Sequence, residues 1–154
     1  MKIHFTYSTT PKDDFTLMVP DFTSTVEASS VDEISGDCLH QVTNLPAFLD
    51  ECYRLLKPQG KAVFTCPHFT HAKAWHSPLS KRGLSEGSLN FADKLWREQT
   101  KFTELTPLCD FSVEGQFAVA EQAQLRSDEA KQFWAFRYNN VVEAILFTLT
   151  KRSP

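Results

Sequence analysis

Between Leu45 and Pro67 the sequence spells a helix, a stop and a buried strand in immediate succession, the order of an α/β fold. Asn44 can cap the helix through its side-chain oxygen, and Pro46 suits the first turn, where its missing N–H is not needed. Leu45, Phe48, Leu49, Cys52 and Leu56 recur at helical spacing and form one apolar stripe, which predicts a helix from about Leu45 to Lys57. Asp50 and Arg54 fall four apart on the outer face and are placed to pair. Pro58 cannot continue the helix, and Gly60 completes a turn. Ala62 to Cys66 is then apolar on both faces, as a central parallel strand is, and Pro67 ends it. Val31 to Gly36 supplies a short strand ahead of the helix.

The flanking segments extend this unit into an α/β sandwich. Residues 2–7 alternate as a strand, with Ile3, Phe5 and Tyr7 on one face, and Phe15 to Val19 is a second strand closed by Pro20-Asp21. Together they read as an N-terminal β-hairpin. His68 to Leu84 is a long loop. A helix is expected from Ser85, as its cap, to Glu98, burying Leu89, Ala92, Leu95 and Trp96. Phe111 to Val119 alternates as a strand, with Gly115 a candidate bulge. Ser127 caps a helix whose first turn holds Asp128 and Glu129, Asn139-Asn140 end it, and Val141 to Thr150 is a last strand.

At 154 residues the chain reads as a single domain over 1–154, with no internal repeat or linker. No apolar run approaches the ~20 residues that span a bilayer. The start carries no apolar signal-peptide core, which makes a cytoplasmic location the expectation. Cys38, Cys52, Cys66 and Cys109 form no C-x-x-C pair and read as buried reduced thiols. The net charge of −3 speaks against general nucleic-acid binding. Charge is unevenly spread, however. Residues 1–50 carry eight acidic and two basic side chains, whereas residues 73–101 carry six basic and three acidic. Lys73, Lys81 and Arg82 could face a small or anionic substrate, or lie on a solvated surface.

Three segments together resemble a known family. They are Ser30-Val31-Asp32-Glu33-Ile34, then Leu45 to Gly60 ending in Leu55-Leu56-Lys57-Pro58-Gln59-Gly60, then Lys61 to Pro67. They are similar to the middle of a class I methyltransferase dependent on S-adenosylmethionine (SAM). The stretch from His68 to Arg82, the helix with Phe91, Lys94, Trp96 and Arg97, and the ending from Gln132-Phe133 to Arg152 are similar to a subgroup of small methyltransferases found in phages and bacteria. The resemblance implies a truncated Rossmann-like sheet, mostly parallel with an antiparallel last strand, helices packed on it, and SAM as cofactor.

The resemblance also implies a glycine-rich loop after the first strand, where only glycine lets the backbone come close to the cofactor. Here the glycines stand at 36, 60, 83, 87 and 115, and none form G-x-G. SAM would then be held by other residues or across a subunit interface. Otherwise the chain is a non-catalytic, homo-oligomeric binding or assembly module on the same fold. In either case the N-terminal hairpin or a second copy must cover the open sheet edge, and a homodimer is expected. Where the subgroup often carries "W-x-D-P-T-H", this chain has Trp75-His76-Ser77-Pro78-Leu79-Ser80.

Candidate site residues follow from the strand ends, since ligands of open α/β sheets bind outside the carboxyl ends of their strands. His40 and Asp37 leave one such end and His68 leaves the next, so His40 and His68 are the candidates for acid–base work. Asp37 and His40 are also candidates for cofactor contact, and the resemblance adds Asp21 and Phe22, whose acidic and apolar side chains would mimic the family's contact with adenine, with turn chemistry after Pro20 as the alternative. His68, His71 and His76 share a loop, but their spacings of three and five residues match no familiar metal site, and no metal is expected. Structural packing is the alternative role for each of these residues.

Overall fold

The structure is a computed structural model that describes residues 1–5, 16–17 and 25–153. Among these residues six strands form one sheet: β1 (Lys2–Phe5), β2 (Thr16–Leu17), β3 (Val31–Gly36), β4 (Leu56–Pro67), β5 (Phe111–Val119) and β6 (Val142–Lys151), in the order β2-β1-β3-β4-β6-β5. Four α-helices accompany them among the described residues: α1 (Leu45–Leu55), α2 (Lys94–Thr100), α3 (Glu121–Gln124) and α4 (Asp128–Arg137). The first four strands run parallel, and β6 runs antiparallel between β4 and β5. The expected α/β architecture with an antiparallel last strand is therefore present.

The N-terminal strand pair is present too, but its direction corrects the hairpin. β1 and β2 are parallel, with His4 opposite Thr16 and Phe5 opposite Leu17. Ten residues separate them, against the two to five or so of a hairpin loop, and the sheet edge they complete is itself parallel. β1 covers β3 in register from Lys2–Glu33 to Phe5–Gly36, so the edge expected to be open is paired within the chain.

Helix α1 forms for the anticipated reasons. The Asn44 side chain accepts from the Ala47 N–H at 3.2 Å, Pro46 lies in the first turn, and Leu45, Phe48, Leu49, Cys52 and Leu55 are buried. Phe48 inserts between Phe5 and Phe64, with ring centroids 5.2 and 5.8 Å away, which clamps the helix over β1 and β4. Each such side chain contributes about 1.5–3 kcal/mol by burial. The outer face differs from expectation. Arg54 pairs with Glu51, through Nη2–Oε1 at 2.6 Å and Nε–Oε2 at 2.8 Å, while Asp50 accepts from the Cys109 N–H at 2.9 Å. A carboxylate three residues away wins because Asp50 has a buried backbone donor to satisfy.

Two further expectations are corrected. The second helix spans Lys94–Thr100 and is capped by Asp93, whose carboxylate accepts from Leu95 N–H at 2.8 Å and Trp96 N–H at 3.2 Å. Ser85 instead bonds Ser88 in a turn, and Leu89 and Ala92 are buried in the irregular approach while Leu95 is 52% exposed. Gly115 pairs regularly with Phe147, and the β5 irregularity falls between Ala118 and Val119. All four cysteines are free and buried. Among the described residues no helix is long and apolar enough to cross a membrane.

Candidate functional site

The parallel strands β1, β3 and β4 end at Phe5, Gly36 and Pro67 on one edge of the sheet, where antiparallel β6 begins at Val142. Gly36 lies against Phe5 so closely that a Cβ there would stand 2.6 Å from the Phe5 carbonyl oxygen. From Gly36 the chain turns through Asp37-Cys38-Leu39-His40, fixed by Gln41 N–H donating to the Cys38 carbonyl at 2.8 Å. A cavity of about 370 Å³ opens at this edge, and its polar lining includes Asp37, His40, Thr65, Lys73 and Glu143.

His40 is 7% exposed. The His68–Leu84 loop crosses over it, with Lys81 N–H and Arg82 N–H donating to the His40 carbonyl at 2.8 and 3.3 Å. Its Nδ1 is buried with no hydrogen-bond partner among the described residues. Burial pulls the imidazole below its ordinary value of 6.5, outweighing the opposite pull of Asp37. The ring is therefore neutral near pH 7 and able to accept a proton. On the cavity's rim the Lys73 ammonium pairs with Glu143, and that contact holds the Glu143 carboxyl below the usual range. Burial pushes the Cys66 thiol up to about 12, so it offers no thiolate at neutral pH.

His68 is 3% exposed and lines a different cavity, of about 320 Å³, with Phe69, Thr70, Ser85, Glu86 and Phe117. Its Nδ1 bonds the Thr70 hydroxyl at 2.7 Å, and burial lowers its pKa. The two candidate acid–base histidines thus line separate cavities on one edge. His71 caps a single 3-10 turn by accepting from Lys73 N–H at 3.2 Å, and His76 is exposed. Among the described residues no three His, Cys, Asp or Glu side chains are grouped to hold a metal, so the loop histidines do not converge. Asp21 and Phe22 lie outside the described residues.

The basic candidates are also dispersed. Lys81 is exposed. Arg82 lines a third cavity, of about 640 Å³, at the start of α1, and donates through Nη2 to the Thr43 carbonyl at 3.0 Å. Thr65 and Glu143 escaped the sequence reading. Thr65 is a polar residue in a strand read as apolar on both faces, which was a usable signal. Nothing in the sequence brings position 143 to position 73.

A family profile described as a methyltransferase domain matches residues 7–64. No curated protein matches the sequence. Among solved structures, YcgJ of Bacillus subtilis superposes with a TM-score of 0.55 at 12% identity, over 92% of this chain and 73% of that one. A SAM-dependent methyltransferase of Archaeoglobus fulgidus gives 0.54 at 15% identity, over 82% of this chain and 62% of its own. A phosphoethanolamine N-methyltransferase of Haemonchus contortus, in complex with phosphomonomethylethanolamine and S-adenosylhomocysteine, gives 0.51 at 15% identity, over 83% of this chain and 35% of its own. This chain accordingly spans between about a third and three quarters of those three proteins. At such identities the likeness is one of fold: the chain has the class I methyltransferase fold.

Proposed function

We propose that this chain is a SAM-dependent methyltransferase-like protein that binds its cofactor beside the ends of β1 and β3 and its acceptor in the cavity beside His40. The observation that carries this reading is the buried His40 imidazole, one nitrogen of which has no partner among the described residues, in a cavity at the carboxyl ends of the parallel strands. The described residues fit a sulfonium cofactor in charge, because Asp37 is exposed where β3 ends beside β1 and its carboxylate can face a cation. Bound SAM would supply an activated methyl group. The chain's own part is to hold the acceptor out of bulk water and to take its proton at the His40 imidazole.

A second reading is favoured by one feature of the sequence: residues 1–35 contain no glycine. A backbone cradle approaching the cofactor is costly to build without one. On that reading the chain is a non-catalytic homo-oligomer. The outer edge of β5 is its contact surface, since among the described residues no strand pairs with it along its nine residues, and the half-exposed Phe117 lies on that strand.

Titration calorimetry with SAM and S-adenosylhomocysteine separates the two. Micromolar binding, with label passing from methyl-labelled SAM to an acceptor, supports the enzyme. A folded protein that binds neither at millimolar ligand overturns it. A dimer by light scattering then supports the assembly module, and a strict monomer at high concentration rejects it.

A further inference from the structure

The cavity around His68 has a chemistry of its own. Three rings meet there from different directions: the His68 and Phe69 centroids lie 4.6 Å apart at 54°, and those of His68 and Phe117 lie 5.7 Å apart at 83°. The His68 ring is held by the Thr70 hydroxyl, and the Phe69 main chain by its N–H donating to the Leu84 carbonyl at 2.9 Å. Phe69 and Phe117 are 46% and 41% exposed, so both rings rest against His68 without being covered. Glu86 lines the same cavity, and among the described residues no lysine or arginine does. Burial keeps His68 uncharged.

Ring faces carry negative potential, and a carboxylate beside them adds to it, so the site is complementary to a cation. Elsewhere the chain supplies such cations itself: Arg126 lies over Trp134, Arg137 over Phe133 and Lys151 over Tyr53. Among the described residues no cation lies over Phe69 or Phe117. At about 320 Å³ the cavity is at the small end of ligand sites.

We propose that the cavity formed by His68, Phe69, Phe117 and Glu86 binds a small organic cation, an alkylated ammonium group, with the rings against its carbon shell and Glu86 against its charge. This site does not rest on methyl transfer. It can hold whether or not SAM binds.

The test titrates the full chain with choline chloride and follows binding by NMR. Sodium chloride at equal ionic strength is the salt control, and 3,3-dimethylbutanol, the uncharged isostere, is the shape control. Choline is expected to bind about tenfold more tightly than the isostere. Glu86→Gln, at an exposed position, should weaken choline about fivefold and leave the isostere unchanged. Phe117→Leu, which keeps apolar bulk and removes the ring, should weaken choline by a similar factor. Equal affinity for the two ligands overturns the proposal. So does a folded protein that ignores choline at tens of millimolar, or a Glu86→Gln variant that binds choline as well as the parent chain. Phosphatidylcholine vesicles carry the same group on a lipid. Their failure to retain the protein supports a free cation, and retention assigns the cavity to a headgroup and overturns the small molecule.

Discussion

Lys151 and Tyr53 meet twice: the ammonium of Lys151 donates to the Tyr53 carbonyl at 2.7 Å and lies 4.5 Å from the centre of the Tyr53 ring. The same ammonium donates to the Leu56 carbonyl at 2.7 Å. A cation from β6 thereby closes the carboxyl end of α1, where the last carbonyls lack helical partners and the helix dipole favours positive charge. Lys151 is only 8% exposed and burial lowers its pKa. Lys151→Met keeps the stem's bulk but strands two carbonyls. It is expected to cost about 2–3 kcal/mol in urea unfolding. An unchanged midpoint would show that water satisfies them.

Acid should weaken the fold before any carboxylate titrates. Burial lowers the pKa of both His40 and His68 below the ordinary 6.5. As pH falls through that value, the unfolded chain takes up protons that the native chain refuses, so stability drops, at up to about 1.4 kcal/mol per pH unit for each histidine. The carboxylates held low by partners, such as Asp32 at about 2, add their loss only at lower pH, below the ordinary 3.8. Urea midpoints measured from pH 7.5 to 5 should therefore fall. A flat profile across that range would mean that neither ring is buried neutral.

Gly36→Ala tests the closeness of β1 to β3. The added methyl would lie 2.6 Å from the Phe5 carbonyl oxygen and 3.0 Å from its Cβ, and neither can give way without moving a strand. A loss of about 2–3 kcal/mol is expected, together with weaker binding of any ligand seated at this edge. Retention of full stability would mean that β1 pairs less tightly than its register indicates.

Arg152 forks onto Asp93, Nη1–Oδ1 and Nη2–Oδ2 both at 2.8 Å, and reaches Asp110 Oδ1 at 2.6 Å. Asp93 also caps α2, so one carboxylate ties the helix to the end of the sheet. Arg152→Lys keeps the charge but loses the planar fork, and should cost about 1–2 kcal/mol. A double-mutant cycle with Asp93→Asn should show coupling between the two positions. Additive losses would reduce the contact to a surface pair.

The central layer of this fold was legible because its signals are local and periodic. Strand β3, helix α1 with its Asn44 cap, the core of β4, and strand β6 all follow from apolar spacing and from proline and asparagine at the boundaries. Helix α2 was misplaced because Ser85 and Asp93 are both competent caps, and only burial of Leu89 and Ala92 outside the helix decides between them. The direction of β2 was hidden because pairing direction depends on the path between strands, which alternation does not encode. The candidate site was half visible. Asp37 and His40 follow from the strand-end rule, whereas Glu143 reaches the cavity only because β6 runs backwards beside β4. Gln59 takes a left-handed φ of 64°, which glycine adopts more readily, so nothing in its residue type marks the turn there.

Strand β6 follows β5 in the chain yet is an interior strand of the sheet. Among the described residues β5 bonds to β6 and to no other strand, so it has no such ladder until residues 142–151 arrive. A nascent chain emerging from the ribosome can assemble β1, β3, α1 and β4 early, yet carries β5 without that partner until those residues have emerged. That interval is when a chaperone, or a neighbouring copy on the same polysome, has its best opportunity to engage the exposed edge.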